Sequence, residues 1–416
     1  MKKWITGGLC TLILTGLTAC SPVMSEETPG NNADDASAHV FGMTQEQRLE
    51  DFTYFEQELQ NSYLCWGILE RKGIDYESIL KEYREMTATE NSDFQLYVAV
   101  NSALYRLGGE GHLSLLQPEW YDEFLTGYAE LPDRTKWYTA LNNPVSQKNY
   151  PILLKVLNEM NEGEDSQTYD SEGQAVTENV TTLIIEEGKT AYLKIDSFES
   201  PNNADQNKIA VFLDQTRSYE NLIIDITQNS GGSDNYWMDF IVAPLAKETL
   251  SNTNYALVKN SENTAKYIEE AFSAEELHPI GELPALPRLE PRDRELATHY
   301  IENTLTVQPS GSGFDGKVWL LVSNQVYSAA EAFTVFCKDT GFATIVGTET
   351  GGDGIGIDPV YFMLPNSGLL IRYSPLFGLN PDGSSNEEYG STPDIISPEG
   401  ETALVTVLRA IRAAAE

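Results

Sequence analysis

The chain has 416 residues, of which 41% are hydrophobic and 22% are charged, a composition typical of a globular protein with two or three domains. Its 63 acidic residues outnumber its 27 lysines and arginines, so the formal net charge is −36. Such a surface repels nucleic acid phosphates and anionic lipids, which argues against binding to nucleic acid and against electrostatic attachment to a membrane.

The first twenty residues have the pattern of a secretory signal. Lys2 and Lys3 precede an apolar stretch, residues 4–17, that is too short for a permanent transmembrane helix. The stretch ends in Leu-Thr-Ala-Cys, which resembles the bacterial lipoprotein signal, in which the cysteine becomes the lipidated first residue. We therefore expect a signal peptide over 1–20 with lipidation at Cys20, and the alternative is a plain secretory signal with an incidental cysteine.

Residues 21–43 are rich in Ser, Asn, Asp, Glu and Gly, which predicts a flexible tether. Together with a lipid on Cys20, this tether would hold the protein at a membrane of the bacterial cell envelope, outside the cytoplasm.

Residues 44–108 predict a small helical N-terminal domain. Thr44 and Gln47 form a capping box, and apolar residues at helical spacing follow it up to Tyr63. Similar periodicity marks two more helices, over 79–86 and 94–107.

A glycine turn, Gly108-Gly109-Glu110-Gly111-His112, ends the helical region and opens a connecting region, residues 109–184. An isolated histidine is most often a surface residue or a satisfied core residue. A histidine displayed on a glycine turn is a better candidate for proton transfer. His39, His278 and His299 lie in the tether or in polar sequence, so His112 is the candidate base.

From residue 185 onward the sequence predicts an α/β core. A strand over 191–198, a helix around 209–213 and a buried strand over 222–226 lead to Gly231-Gly232, where free N–H groups would lie at the carboxyl end of a strand. Residues 260–316 are polar, acidic and rich in proline, and we interpret them as a long insertion rather than core.

The segment from Lys317 to Gly354 predicts a strand, a turn, a helix and a second strand. Ser328 opens the helix, where free backbone N–H groups point at whatever its hydroxyl attacks. The alternative is that Ser328 is only a helix cap. Strands near 360–363 and 369–372 follow, then an acidic loop and a terminal helix over 401–415.

Two further cysteines, Cys65 and Cys337, fall among apolar neighbours in predicted helices, so we expect buried free thiols rather than a disulfide. The sequence has no Cys-x-x-Cys or Cys/His cluster that would suggest a zinc site, and we predict no metal and no organic cofactor.

An exposed histidine, a serine at a helix start, a Gly-Gly turn and a late acidic loop are the parts of a serine hydrolase. The serine needs a neutral imidazole as base, the imidazole needs a carboxylate, and the oxyanion needs two preorganised donors. The G-x-S-x-G elbow of α/β-hydrolases is absent around Ser328, which excludes that fold.

These pieces resemble the tail-specific (carboxyl-terminal processing) serine proteases and their tricorn-core relatives. The resemblance spans residues 108–116 and 185–398 and implies a crotonase-like α/β protease core. It is carried by Gly109–His112, Ala191–Phe198, Asp225–Gly232, Ser328–Glu331, Gly347–Gly352 and Gly390–Ile395.

The family has two catalytic arrangements. Tail-specific proteases use a Ser–Lys dyad, but the matching place here holds Asp353, and no lysine follows Lys338. The tricorn-like branch uses Ser, His and Glu. The resemblance to that branch implies Ser328 as the nucleophile, His112 as the base and Glu387, or the adjacent Glu388, as the carboxylate that orients the imidazole.

The resemblance also implies the oxyanion donors, which are the N–H of Ala329 and that of Gly231 or Gly232. Tricorn has a serine directly before its histidine, where this chain has Gly111, so participation of the nearby Ser114 stays open. Residues 117–184 show no PDZ pattern, so selectivity for protein C-termini is not implied.

The leading interpretation is a membrane-anchored, extracytoplasmic serine peptidase that acts on a peptide or protein substrate through an acyl-enzyme. The alternatives are a catalytically inactive binding protein of the same fold, for a ligand or a peptide, and an esterase. The presence of Ser328, His112 and Glu387 or Glu388 together favours the enzyme.

Overall fold

The computed structural model describes residues 40–89, 92–161, 178–199 and 203–415. The predictions for the signal peptide, for Cys20 and for most of the tether fall outside these residues. Within the described ranges, no helix combines the length and the apolar character that crossing a membrane requires.

Helices dominate the described residues from Gln45 to Asn161, and strands alternate with helices after them. The α-helices of the described residues are α1 Gln45–Ser62, α2 Trp66–Arg71, α3 Tyr76–Thr89, α4 Phe94–Leu107, α5 Tyr121–Ala129, α6 Thr135–Leu141, α7 Pro144–Asn161 and α8 Asn203–Gln215. They continue with α9 Asp234–Trp237, α10 Ala243–Leu245, α11 Glu262–Ala271, α12 Pro291–Leu296, α13 Ala329–Thr340, α14 Asn386–Tyr389 and α15 Ala403–Ala415.

The strands of the described residues form three sheets. They are β1 Ser114–Leu115, β2 Val180–Glu186, β3 Thr190–Ile195, β4 Asn221–Asp225, β5 Leu250–Val258, β6 Leu277–Pro279, β7 His299–Val307, β8 Lys317–Val322, β9 Thr344–Gly347, β10 Val360–Met363, β11 Leu370–Tyr373, β12 Leu376–Leu379 and β13 Ile395–Ile396. The sheet orders are β1-β11-β10, β12-β5-β7-β6 and β13-β9-β8-β4-β3-β2.

The six-stranded sheet is the centre of the α/β core. Its strands from β13 to β3 run parallel, and β2 closes one edge as the antiparallel arm of a hairpin. In β8, Leu320 and Val322 pack with the residues of α8 and α13, whereas Trp319 and Leu321 face α15 on the other side. The predicted α/β core with a helical N-terminal region is confirmed.

The N-terminal helices share one core with the two smaller sheets and do not pack as a separate body. The Phe55 ring lies 6.4 Å from that of Phe362 in β10. The carboxylate of Asp51 accepts hydrogen bonds from the backbone N–H groups of Asn366 and Ser367, at 2.8 Å each. The helices therefore form where the sequence predicts them, but residues far along the chain complete their packing.

The core also reaches into the end of the predicted tether. Val40, Phe41 and Met43 are buried, and the carboxylate of Asp93 accepts the N–H groups of Phe41 and Met43 at 3.1 and 2.9 Å. Polar composition over 21–43 therefore hid a short apolar segment that belongs to the folded protein.

Residues 260–316, interpreted above as an insertion, contribute core. They supply α11 and β7, and β7 pairs antiparallel with β5 from Leu250 opposite Val307 to Val258 opposite His299. The side chains of Tyr267 and Ile301 are fully buried. Composition was misleading because β7 exposes Glu302, Thr304 and Thr306 on one face, and five of its nine residues are polar although the strand also contributes to the core.

The cysteine prediction is confirmed. Cys65, which precedes α2, and Cys337, within α13, are both buried free thiols. Burial raises the pKa of each thiol well above its ordinary range, so neither is a reactive thiolate.

Candidate active site

Three loops meet at the carboxyl edge of the central sheet. The loop after β4 carries Gly231 and Gly232, the loop after β8 leads to Ser328, and the loop after β9 leads to Asp353. Because β4, β8 and β9 are parallel neighbours, their carboxyl ends lie side by side and bring these residues together.

Ser328 stands directly before α13 in a strained backbone conformation, with φ 54° and ψ −126°. Its N–H donates to the carbonyl of Gly352 at 3.0 Å, which ties the turn to the loop after β9. Gly231 packs against this turn so closely that a Cβ there would lie 2.9 Å from the Ser328 Cβ. The strained backbone is therefore at the predicted nucleophile, and the contacts with Gly352 and Gly231 hold the turn in place.

His112 reaches the same place from the N-terminal part of the chain. It ends a short 3₁₀ turn, and both Gly111 and His112 have positive φ, at 61° and 55°. The imidazole Nδ1 lies 2.5 Å from Asp353 Oδ2 and 3.2 Å from the Ser374 hydroxyl. With Nδ1 held in this way, Nε2 is the nitrogen left to accept a proton.

Ser328, His112, Asp353, Gly232 and Ala329 line one cavity. Among the described residues, no hydrogen bond joins the Ser328 hydroxyl to the imidazole. Catalytic hydrogen bonds are often long without substrate and tighten when it binds. The arrangement can therefore deliver a serine oxygen, a base and backbone donors to one bound group.

The structure gives His112 a carboxylate partner other than the predicted Glu387. Glu387 Oε1 instead accepts the N–H of Gly111 at 2.7 Å, and the Tyr327 hydroxyl contacts both of its oxygens at 3.2 and 3.3 Å. Burial, and then the charge of Asp353, raise the pKa of Glu387 well above its ordinary range. Glu387 therefore supports the histidine turn through Gly111, and burial favours its neutral form.

Glu388, the other predicted carboxylate, lies in a different network. Its Oε2 is 2.6 Å from Arg71 Nη2, and the same guanidinium also binds Asp293. The signal that sequence reasoning passed over was Asp353, a carboxylate at the position of the lysine in the dyad branch. The Tyr327 hydroxyl contacts both Asp353 and Glu387, so the two carboxylates lie close together in the fold although 34 positions separate them in the sequence. The sequence alone therefore could not show which of them contacts the imidazole.

The backbone contacts differ between the two glycines that the sequence left open as oxyanion donors. The N–H of Gly231 donates to the Asn229 side chain at 2.9 Å and is therefore committed. Phe198 pairs with the backbone on either side of Gly232: its N–H donates to the Gly231 carbonyl, and its carbonyl accepts the N–H of Ser233, at 2.8 Å each. Neither of these hydrogen bonds uses the N–H of Gly232. Within the described chain, neither Gly232 N–H nor the first helical N–H, that of Ala329, has a hydrogen-bond partner.

Residues 189–397, half of the chain, match the profile of Peptidase family S41. The chain belongs to this family. A protein of Staphylococcus epidermidis described as a CtpA-like serine protease is 26% identical over 208 residues, which cover 50% of this chain and 33% of that protein. The chain thus spans about a third of the length of this relative.

Solved structures agree on the fold. A candidate peptidase from Parabacteroides merdae superposes with a TM-score of 0.53 at 16% identity, over 89% of this chain and 96% of that one. Mature CPAF, solved with lactacystin, superposes with a TM-score of 0.50 at 13% identity, over 89% of this chain and 97% of that one. At these identities the likeness concerns the fold alone.

A second serine does touch the histidine of this S41 chain, but it is not Ser114. The Ser114 hydroxyl donates to the His112 carbonyl at 3.1 Å, which commits it to the backbone. Ser374, just after β11, donates to Asp353 Oδ2 at 2.9 Å beside Nδ1, and its own N–H binds the Gly111 carbonyl. Nothing in the sequence marks Ser374, because it lies 262 positions from His112.

Among the described residues of this S41 chain, no group of three or more His, Cys, Asp or Glu side chains could hold a metal ion.

Glu331 joins the nucleophile helix to the loop that carries Glu387. It is fully buried in the first turn of α13, and its Oε1 accepts from Asn386 Nδ2 at 2.9 Å and from the Ser391 hydroxyl at 2.7 Å. Its Oε2 has no hydrogen-bond partner within the described residues. Burial raises the pKa of Glu331 to about 7, so below that pH the folded protein prefers the neutral acid.

Replacing Glu331 with glutamine should remove a pH-dependent part of the stability. Between the ordinary pKa of an unfolded glutamate and about 7, the folded wild type holds one more proton than the unfolded chain. Its free energy of unfolding therefore falls as pH rises, by about 1.4 kcal/mol per pH unit from this group. Urea unfolding at pH 5 and pH 8 should show wild type losing about 2 kcal/mol relative to Glu331→Gln. A difference that does not change with pH would contradict this assignment.

Proposed function

We propose that this S41 chain is a serine peptidase that hydrolyses peptide bonds through an acyl-enzyme, with Ser328 as nucleophile, His112 as base and Asp353 as the carboxylate that orients the imidazole. The observation that carries the proposal is the contact of 2.5 Å between His112 Nδ1 and Asp353 Oδ2, in the cavity that Ser328 shares. This contact selects the tautomer with Nδ1 protonated and Nε2 free.

In the first step, Ser328 Oγ attacks the scissile carbonyl carbon and its proton passes to His112 Nε2. The carbonyl oxygen becomes an oxyanion, which the N–H groups of Gly232 and Ala329 stabilise. The C–N bond then breaks, and the imidazolium gives its proton to the leaving amine. Asp353 stabilises the positive charge that the imidazole carries between these two transfers.

In the second step, water attacks the acyl-enzyme ester and gives a proton to His112 Nε2. A second oxyanion forms at Gly232 and Ala329 and collapses, the bond to Ser328 Oγ breaks, and Nε2 returns the proton to the serine. The peptide acid leaves and the starting state is restored. The scheme balances without a metal or an organic cofactor.

A fluorophosphonate probe tests the proposal directly, because it reacts only with a serine that a base and an oxyanion site already activate. The full chain should be labelled, and both Ser328→Ala and His112→Ala should lose the label. A folded wild-type protein that takes no label, or a Ser328→Ala variant that keeps it, would overturn the proposal. A panel of matched peptide and ester substrates then separates the peptidase from the esterase.

We further propose that the protein is anchored outside the cytoplasm by lipid on Cys20. The support is the sequence of residues 1–20, with its paired lysines, its apolar stretch and the small residues before the cysteine. Fractionation of cells that make wild type or Cys20→Ser tests this anchor. Wild type is expected with the membranes, and an equal distribution of the two forms would contradict it.

A further inference from the structure

The cavity wall carries a carboxylate that the reaction scheme does not use. Asp234 is the first residue of α9, two positions after Gly232, and it lines the same cavity as Ser328. Its Oδ1 accepts the indole N–H of Trp237 at 3.0 Å. Among the described residues, no lysine, arginine or histidine forms an ion pair with it.

The neighbouring carboxylate, Asp358, differs in this respect. It also lines the cavity, but its Oδ2 accepts Arg134 Nε at 2.9 Å, and both side chains are largely buried. Its charge is therefore compensated within the protein. Removal from water, and then the charge of Asp358, raise the pKa of Asp234 to about 6, so at neutral pH it is an anion without a counter-ion.

The remaining wall is small and apolar. Ala332, Ile357 and Pro359 line the cavity beside Asp234. A lysine or arginine side chain combines an aliphatic stem with a cationic head, so it would place its stem on this wall and its head on a carboxylate. The net charge of −36 adds a field that concentrates cationic peptides near the protein.

We propose that Asp234 determines the specificity of this cavity by binding a cationic group of the peptide substrate next to the scissile bond. The inference rests on the proposed peptidase function and names its substrate class. The ammonium or guanidinium can come from a lysine or arginine side chain or from a free amino terminus. The apolar wall favours the side chain, because a terminal ammonium has no stem to cover it.

Peptides of one sequence that differ at a single position test the proposal. Lysine is compared with norleucine, which keeps the stem, and arginine with citrulline, at each position from two before to two after the scissile bond. Wild type should show a kcat/KM at least about tenfold higher for the cationic peptide at one position, since a confined charge pair is worth that much or more. Peptides with free and acetylated amino termini distinguish the two sources of the cation.

Asp234→Asn should reduce the ratio of kcat/KM for the lysine peptide to that for the norleucine peptide at least about tenfold. Asparagine keeps an oxygen for the indole N–H of Trp237, so the fold should be retained. The matched control is Asp239→Asn, which removes an exposed carboxylate from the same helical segment, outside the cavity. It should preserve the wild-type ratio.

Equal kcat/KM for lysine and norleucine at every position, or an unchanged ratio in Asp234→Asn, would overturn the inference. Fluorophosphonate labelling of the same samples distinguishes failure of this inference from failure of the proposed function. A protein that takes the label but shows no charge preference would contradict only this inference. If wild type neither hydrolyses peptides nor takes label, binding of the lysine and norleucine peptides is compared directly. Equal affinities for the two peptides would also contradict the inference.

Discussion

Asp353→Asn is expected to lower kcat by a factor on the order of 10³–10⁴. An asparagine at this position can present its amide N–H to His112 Nδ1, which would favour the tautomer with the proton on Nε2. That nitrogen then cannot accept the proton of Ser328. The side chain is otherwise of the same size, and the Ser374 hydroxyl can still donate to its oxygen, so the loss should appear in kcat and not in stability.

Glu387→Gln is the matched comparison for Asp353→Asn. Glutamine keeps an oxygen for the N–H of Gly111 and carries no charge, which burial favours at this position, so kcat should stay within about tenfold of wild type. Peptide hydrolysis and the rate of fluorophosphonate labelling measure both variants. A larger loss in Glu387→Gln than in Asp353→Asn would show that Glu387, as the sequence predicted, is the carboxylate that serves the imidazole.

Ser328→Gly should abolish hydrolysis and at the same time stabilise the protein. Loss of the nucleophile costs a factor of about 10⁶ in comparable serine peptidases. The backbone at this position, with φ 54° and ψ −126°, is strained for serine and favourable for glycine. Relief of that strain should raise the free energy of unfolding by about 1 kcal/mol, after the greater chain entropy of unfolded glycine is subtracted.

Ser328→Ala is the control for the strain. Alanine also removes the hydroxyl but keeps the Cβ, so it should be as inactive as glycine without the gain in stability. Urea unfolding of wild type and both variants under one condition measures the difference. Equal midpoints for glycine and alanine would contradict the prediction, because relief of strain would then do no more than offset the greater chain entropy of unfolded glycine.

Sequence reasoning located the residues that local pattern can mark. Buried strands of β-branched residues, the glycine turn before His112 and the helix start at Ser328 are features of neighbouring positions. The structure has the predicted elements around them and brings both side chains into one cavity. The prediction from composition was wrong for β7, because the average over the strand combines its buried apolar residues with its exposed polar residues.

By itself, the sequence determined the family and the α/β core and indicated Ser328 and His112 as the candidate pair, because each depends on short motifs and their order. Only the tertiary structure showed that Asp353 rather than Glu387 contacts the imidazole and that the N–H of Gly231 is bonded to Asn229, and only it revealed the positions of Ser374 and Asp234. Their roles depend on which hydrogen bonds form between loops far apart in sequence. A displacement of a few ångströms between two loops is enough to make or break such a hydrogen bond, and a local sequence pattern does not predict that displacement.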